Sequence, residues 1–288
     1  MIPNAFEYHA PKSLDDAIRL LGEYPDEAKL LAGGHSLLPM MKLRFAEPTH
    51  LVDINGIDSL RGIRLDGSTL VIGSMTTENQ LIASELLREH CPLLPEAARN
   101  ISDPQVRNRG TIGGDIAHGD PANDHPALML ACGAEFKLAG ADGERSIAAT
   151  EFFLGTYWTA LEEGEILTEI LIPAFQSGTG SAYCKLKRKQ GDWATAASAV
   201  VLRMQGGSCI EARIGLTNVG PNALNATDAA AKLIGTSVDE AAIEQAAQAA
   251  MAICDPAEDL RGDVEYKTHM AGEMTRRAIR LARKRAAS

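Results

Sequence analysis

Two short stretches, AGGHS at residues 32–36 and TIGGD at residues 111–115, decide how this chain is expected to fold and bind. Adjacent glycines allow positive φ angles and let successive backbone N–H groups converge on an anion at short range. One such stretch is common in tight turns, whereas two on one chain suggest a shared ligand. A diphosphate carries charge on both phosphoryl groups and could be held between two facing glycine loops. The pair therefore predicts a dinucleotide-binding protein.

The residues around the first stretch have the order strand, glycine loop, helix that a phosphate-binding loop requires. Residues 28–32 predict a short buried strand, and the sequence SLLPMMKLR after the glycines predicts a helical turn. An amphipathic helix is expected earlier, over residues 14–24, because Ser13 and Asp16 have the spacing of a capping box.

The following residues predict a mixture of strands, hairpins and helices. The expected elements are strands at 50–54 and 166–172, hairpin turns near Asp66 and Asp142, and helices over 77–88, 93–100 and 125–134. The last of these helices is apolar enough to be fully buried. By contrast, the polar segment SDPQVRNRG before the second glycine stretch is not expected to form regular core structure.

The sequence changes in character after a linker of small and polar residues at 174–180. Three strands are predicted from SAYCKLKR, TAASAVVLRM and CIEARIGLT, followed by alanine-rich helices that include residues 240–253 and 264–287. Three antiparallel strands backed by helices form an α+β domain of ordinary size.

The length of the chain favours two domains. Its 288 residues exceed the ~150 that are typical of one domain, although one large domain would also be possible. We predict a first domain at residues 1–176, with subdomains at about 1–55 and 56–176, and a second domain at residues 177–288.

The composition excludes several classes of protein. Acidic residues outnumber basic ones 38 to 28, giving a net charge of −10, whereas nucleic-acid binding needs clustered Lys and Arg. No apolar run approaches the ~20 residues needed to cross a bilayer, and no basic or long apolar leader begins the chain. We therefore expect a cytoplasmic protein with no transmembrane segment.

The five cysteines are scattered singly and form no CxxC pair. This pattern supports neither a disulfide framework nor an iron–sulfur or zinc site, so the cysteines are expected to be reduced, buried thiols. No metal site is predicted on this chain. Any metal centre that the protein works with would lie on another polypeptide.

Several longer motifs carry a resemblance to a known family over essentially the whole chain. They are LAGGHSLLPMMKLR at 31–44, DPQVRNRGTIGGD at 103–115, GDPANDHPALM at 119–129, KLKRKQGDWATAA at 185–197 and IGLTNV at 214–219. In these motifs the chain resembles the FAD-binding medium subunit of molybdenum hydroxylases, most closely that of aerobic carbon monoxide dehydrogenases. The resemblance implies a vanillyl-alcohol-oxidase-type (PCMH-type) FAD domain of two subdomains, followed by a C-terminal domain of the carbon monoxide dehydrogenase flavoprotein type.

The same resemblance implies an electron relay. It implies non-covalent FAD on this chain, [2Fe-2S] clusters on a small partner subunit and a molybdopterin cofactor on a large one, assembled as a dimer of heterotrimers. The electrons would pass to an external acceptor, either quinone or NAD. A self-sufficient FAD oxidase or dehydrogenase of the same fold is the alternative, and a protein that has lost its flavin is a third reading.

The resemblance also implies which residues bind FAD. They are Ala32, Gly33, Gly34, His35, Ser36, Leu37, Thr111, Gly113, Gly114, Asp115, Asp124, Lys185 and Trp193. Backbone amides of both stretches, with the hydroxyls of Ser36 and Thr111, would contact the cofactor. No catalytic residue and no metal ligand is expected.

Asp115 departs from the family, in which Asn is usual at this position. An ionised Asp only accepts hydrogen bonds and brings negative charge toward a diphosphate. This contact is therefore expected to weaken FAD binding or to require a compensating cation.

The other assignments compete with simpler interpretations. Asp124 could cap a turn instead of contacting the ribose region, and Lys185 could lie on a solvated strand face instead of near the isoalloxazine. Trp193 could be a core anchor instead of covering the flavin, and His35 could pack instead of contacting the pyrophosphate.

Overall fold

The N-terminal part of the chain forms a small parallel sheet. The computed structural model describes residues 2–287. The elements of this part are β1 (Glu7–His9), α1 (Leu14–Glu23), β2 (Ala28–Leu31), α2 (Leu37–Leu43), β3 (His50–Asp53) and 3₁₀ turns at Ile54–Gly56 and Asp58–Leu60. The strand order is β1-β3-β2, with both pairs parallel. The predicted helix is confirmed, and the Ser13 hydroxyl caps it by accepting from the Asp16 amide at 3.1 Å.

The middle of the chain forms a five-stranded antiparallel sheet with helices inserted between its strands. Its elements are β4 (Ile63–Asp66), β5 (Thr69–Gly73), α3 (Glu78–Ala83), α4 (Glu85–His90), α5 (Leu93–Ala98), α6 (Pro104–Arg109), α7 (Ile112–His118), α8 (Asp124–Cys132), β6 (Glu135–Gly140), β7 (Gly143–Ala148), α9 (Ala149–Phe152), β8 (Phe153–Gly155), β9 (Trp158–Thr159) and β10 (Ile166–Pro173). The strand order is β4-β5-β10-β6-β7, and β8 pairs separately with β9. Both predicted hairpins are confirmed.

Local capping explains where this region differs from the sequence prediction. The helix expected over residues 77–88 is broken at Ser84, whose hydroxyl caps α4 by accepting from the Leu87 amide at 3.2 Å. The polar segment before the second glycine stretch forms α6, which begins at Pro104 under the Asp103 cap and buries none of its residues. A capped helix that buries none of its residues completely has no wide apolar stripe, so periodicity could not reveal it.

The C-terminal part forms a second antiparallel sheet backed by helices. Its elements are β11 (Thr179–Leu186), β12 (Ala196–Gln205), β13 (Ser208–Thr217), β14 (Leu224–Asn225), α10 (Thr227–Ala231), α11 (Glu240–Ala252) and α12 (Val264–Ala286). The three predicted strands are confirmed, but the sheet has a fourth, β14, at its edge. Two residues are too few to show the alternation by which a strand is predicted. The predicted domain and subdomain boundaries stay predictions.

Helix α8 joins the two antiparallel sheets. All of its residues are buried, and its apolar side chains share one core with Phe136 of the middle sheet and Ala199 of the C-terminal sheet. Separate clusters lie under the N-terminal sheet and between the C-terminal sheet and its helices. The cysteines are free thiols, but the expectation that all are buried is wrong, because Cys184 and Cys254 are half-buried.

Gly215 allows α8 to lie directly on β13. A Cβ atom at this position would lie 2.1 Å from the carbonyl oxygen of Ala127, far inside van der Waals contact. The helix that follows the second glycine stretch is therefore seated against the C-terminal sheet through backbone atoms.

We expect Gly215→Ala to lower the free energy of unfolding by about 1–3 kcal/mol, because the new methyl group forces α8 away from the sheet. Gly22→Ala is the control: it lies in α1, where an added Cβ meets no atom within 4 Å. The control should gain about 0.5–1 kcal/mol from lower unfolded-state entropy. Urea unfolding of both variants checks this, and equal stabilities would contradict it.

Candidate functional site

A cavity of about 900 Å³ lies between the N-terminal sheet, α7 and the start of α8, within the usual size range of cofactor sites. Both glycine stretches line it. All thirteen residues that the resemblance assigned to FAD lie along its wall, including the distant Lys185 and Trp193. The prediction that the two stretches face a common space agrees with this geometry.

The first stretch offers free hydrogen-bond donors. It connects β2 to α2, and Gly34 has a φ of +79°, which side-chain-bearing residues rarely adopt. Within residues 2–287, the amides of residues 33–37 have no acceptor at hydrogen-bond distance in the chain. The hydroxyl of Ser36 does not cap α2 either. Five consecutive amides and one hydroxyl are therefore available to an anionic ligand.

The second stretch is different, because it is the capped first turn of α7 rather than an open loop. The amide of Gly113 donates to the Ser74 carbonyl at 2.9 Å, and that of Gly114 donates to the Thr111 hydroxyl at 3.2 Å. The Asp115 amide donates to the Thr111 carbonyl at 3.0 Å. The chain itself therefore uses these two donors, and the assignment of Gly113 and Gly114 to the cofactor stays a prediction.

The glycines of the second stretch serve close packing instead. A Cβ at Gly113 would lie 2.4 Å from the Ser74 Cβ, and one at Gly114 would lie 2.8 Å from the Thr111 hydroxyl oxygen. On the opposite side, a Cβ at Gly33 would lie 2.4 Å from the Arg109 carbonyl oxygen. The two stretches meet because neither carries a side chain at the contact.

Asp124 and Lys185 form one buried ion pair. The Lys185 Nζ lies 2.7 Å from Asp124 Oδ2, and both side chains are almost completely buried. The Tyr183 hydroxyl donates to the other carboxylate oxygen, and burial followed by the Asp124 charge raises the pKa of Tyr183 well above its usual value. Asp124 therefore balances the charge of Lys185 within the chain, and the assignment of Lys185 to the cofactor stays a prediction. The turn cap considered for Asp124 is also absent, since its carboxylate is committed to this cluster.

A second buried pair was not found by the sequence reasoning. Glu78, at the start of α3, accepts from His125 Nε2 at 2.9 Å, and His125 Nδ1 has no partner among the described residues. Burial disfavours the charged imidazole, but the Glu78 carboxylate outweighs it and raises the pKa of His125 to about 9. The sequence did offer one signal of such a pair, because a histidine inside a helix that is predicted to be buried needs a polar partner. Its partner lies 47 positions away and could not be inferred.

Asp115 lies among these charges without a partner of its own. Its Oδ1 is shielded from solvent and makes no hydrogen bond within residues 2–287, and no basic side chain there pairs with it. Burial raises the pKa of Asp115 to about 7; His125 opposes the rise, and Glu78, Asp124 and Asp120 add to it. The compensating cation expected from the sequence is thus replaced by a proton, which gives the carboxyl a donor near neutral pH.

Trp193 lies at the edge of the cavity and is not a core anchor. Its side chain is 52% exposed, and the guanidinium of Arg261 lies 5.7 Å from the ring centroid. Asp192 holds this arrangement by accepting from Arg261 at 3.1 Å and from the Trp193 amide at 2.9 Å. His35 is exposed along the same wall, which excludes the packing alternative for it.

The cavity wall is acidic. Its ionisable carboxyl groups are Asp26, Glu78, Asp115, Asp124, Glu162, Glu163, Glu165 and Asp192, whereas its lysines are Lys29 and Lys185. An anion in this cavity would therefore be held by backbone amides and hydroxyls rather than by a cluster of cations. This agrees with the five free amides of the first stretch.

Comparison with known proteins assigns each of the two parts of the chain to a protein family. Residues 4–175 match the family described as FAD binding domain in molybdopterin dehydrogenase, and residues 181–282 match the CO dehydrogenase flavoprotein C-terminal domain. The chain belongs to the FAD-binding subunits of molybdopterin dehydrogenases and is an oxidoreductase subunit.

Within this family the chain is similar to the medium chains of carbon monoxide dehydrogenase. It is 61% identical to that of Hydrogenophaga pseudoflava, covering 98% of both chains, and 52% identical to that of Afipia carboxidovorans, covering 99% of both. It also matches a solved carbon monoxide dehydrogenase chain of H. pseudoflava with a TM-score of 0.98 and 62% identity, over 99% of each chain. The predicted family and fold class are confirmed.

We expect Asp115→Asn to change how stability depends on pH in protein from which FAD has been removed. The native pKa of about 7 lies above the ordinary value of 3.8, so the folded chain binds more protons between these two values. The contribution of Asp115 to the free energy of unfolding should therefore fall with rising pH through this range, by up to about 4 kcal/mol. The Asn variant should lack this fall.

Chemical denaturation at several pH values measures the difference between the two proteins. Asp142→Asn, at the exposed β6–β7 turn, is the control and should keep a constant difference from wild type. A constant difference for Asp115→Asn as well would contradict the raised pKa.

Proposed function

We propose that this chain is the electron-transfer subunit of a heterotrimeric molybdenum hydroxylase of the carbon monoxide dehydrogenase type. It would take electrons from [2Fe-2S] clusters of a small partner subunit and pass them to an external acceptor. The observation that carries this proposal is the cavity whose first glycine stretch leaves five amides free for a diphosphate. The similarity to carbon monoxide dehydrogenase medium chains over 98% of the chain supports it.

The residues that line the cavity fit FAD, and the two glycine stretches would contribute differently to its binding. The amides of residues 33–37 and the Ser36 hydroxyl would hold the diphosphate, and the positive φ of Gly34 shapes this loop. Gly113 and Gly114 would form a close-packed wall rather than donate. When bound, FAD supplies the redox chemistry, because a flavin can accept electrons singly and deliver them in pairs.

The remaining residues would position the cofactor and shield it. The Asp124–Lys185 pair and Tyr183 form a buried polar floor without net charge, since one carboxylate balances one ammonium. Trp193 would cover part of the cofactor at the exposed edge, with Arg261 on the ring. Ala32, His35, Leu37 and Thr111 complete the proposed wall.

The complex that we propose is a dimer of heterotrimers in the cytoplasm, with its molybdopterin cofactor on a large subunit. Carbon monoxide is the favoured substrate of that subunit, with N-heterocycles and aldehydes as the alternatives, and quinone or NAD is the proposed acceptor. None of the helices in residues 2–287 combines the length and apolar character needed to span a bilayer. As part of our proposal, any contact with the inner face of the cytoplasmic membrane would be made through the complex.

We expect Gly34→Val to abolish FAD binding to the isolated chain. A Cβ at Gly34 would lie 2.9 Å from the Leu38 Cδ1, and a β-branched residue resists the φ of +79° that exposes the loop amides. Titration of FAD-free protein, followed by quenching of flavin fluorescence, gives the affinity.

Gly235→Val is the matched control for this variant. Gly235 has a φ of +80°, but it lies outside the cavity and an added Cβ would meet no atom within 4 Å. The control should carry similar backbone strain and keep its affinity for FAD. Undiminished affinity in Gly34→Val, with its fold confirmed by circular dichroism, would refute the diphosphate assignment.

We expect the isolated FAD-loaded chain to be inert toward carbon monoxide, because no substrate centre is proposed on it. In the complete complex, anaerobic carbon monoxide should bleach the flavin absorption near about 450 nm. Rapid-scanning absorption spectroscopy of the isolated chain and of the complex measures this change in flavin absorption. Bleaching of the isolated chain would instead support a self-sufficient oxidase.

A further inference from the structure

Three potential metal ligands, none of which is a cysteine, lie close together on the N-terminal sheet. Glu7 and His9 lie on β1, and His50 lies on the adjacent strand β3. The register pairs Glu7 with His50, so alternation along β1 places Glu7, His9 and His50 on one face of the sheet. Their ligand atoms all lie within 4.8 Å of one another.

We propose that Glu7, His9 and His50 bind a divalent transition-metal ion, with Zn²⁺ as the best match to this ligand set. Two imidazole nitrogens and one carboxylate oxygen are typical ligands of Zn²⁺ in a tetrahedral site whose fourth position is water. None of these three residues lines the FAD cavity, and the proposal does not rest on the proposed electron transfer.

The distances between the ligand atoms fit such a site. His9 Nε2 lies 3.0 Å from His50 Nδ1, and Glu7 Oε2 lies 3.9 Å from His50 Nδ1. Two nitrogens bound tetrahedrally to Zn²⁺ at ~2.0–2.1 Å are separated by about 3.3 Å. To coordinate the ion, the two histidine nitrogens would move apart by a few tenths of an ångström and the rings would turn toward it, and the exposed Glu7 carboxylate, within 4.8 Å of both nitrogens, would move closer by a larger distance.

Ring contacts already orient the imidazoles. The ring of Tyr24 lies over that of His50 with centroids 3.7 Å apart and planes 9° from parallel, whereas His9 meets His50 edge to edge, with centroids 5.3 Å apart and the 3.0 Å nitrogen–nitrogen contact between them. Without metal, one of the facing nitrogens carries the proton of their hydrogen bond. Metal binding would move that proton to the other nitrogen of the same ring, so that both lone pairs face the ion.

The position of the site gives the metal a structural role. The ion would join the edge strand β1 to the central strand β3, and Tyr24 contacts both the histidines and the FAD cavity. Metal binding would thus hold the outer wall of the cavity by tying together two strands that are separated by 40 residues of chain.

Isothermal titration of the full-length protein with Zn²⁺ tests the proposal, and Co²⁺ serves as a spectroscopic probe of coordination. We expect one ion per chain, saturating below about 100 μM, and visible Co²⁺ bands typical of four ligands. His9→Ala and His50→Ala should each weaken binding at least about tenfold, and Glu7→Gln should weaken it less. His269→Ala, which removes an exposed histidine outside the site, should change nothing.

A second measurement separates metal binding from folding. Zn²⁺ should raise the melting temperature of wild type and His269→Ala but not that of His9→Ala, a change on an edge strand that leaves the core intact. Absence of binding to wild type at about 100 μM Zn²⁺, or equal affinity in His9→Ala, would overturn the proposal. In that case the two histidines serve only as a hydrogen-bonded structural pair.

Discussion

The contact between Gly33 and the backbone at Arg109 is the constraint on which the cofactor cavity depends. With no side chain at Gly33, the loop after β2 can lie against the end of α6, where a Cβ would be 2.4 Å from the Arg109 carbonyl oxygen. The start of α7 follows immediately, and its own glycines pack with similar closeness. Two segments 80 residues apart in sequence thus border one space. The loop supplies the free amides, and the helix supplies a smooth wall.

The close packing of the two glycine stretches also explains how the charges of the cavity are arranged. Acidic side chains that are crowded into a partly desolvated space must be neutralised. The chain does this in three ways. Asp124 is paired with Lys185, Glu78 is paired with a charged His125, and Asp115 retains its proton up to a pKa of about 7. The first two cost desolvation that good geometry offsets, whereas the third carries no buried charge below its pKa. An anionic ligand therefore meets amide dipoles beside three acids whose charge is paired or reduced.

Much of this organisation could be predicted from the sequence, because it depends on local patterns. Ser13 and its helix, the two hairpins and the buried α8 follow from capping and periodicity, and the motif order identifies the family. The role of Thr111 could not be predicted. The same residues could form an open loop or, with Thr111 as the cap, the first turn of a helix. Only the tertiary partner of Gly113, the Ser74 carbonyl, decides between these alternatives.

The clusters of buried charged side chains around the cavity could not be predicted from the sequence either, because their members are also distant in sequence. Tyr183 and Lys185 lie two positions apart on β11, so strand alternation already places them on one face, but their common partner Asp124 is about 60 residues away. Once that partner is known, the electrostatic role of Lys185 changes, because its charge is balanced before any cofactor is considered. Other influences of this chain on a bound flavin would come from hydrogen bonds, from the remaining carboxylates of the cavity wall and from groups whose charge changes near neutral pH. Asp115, at the turn that follows Thr111, has its pKa in that range.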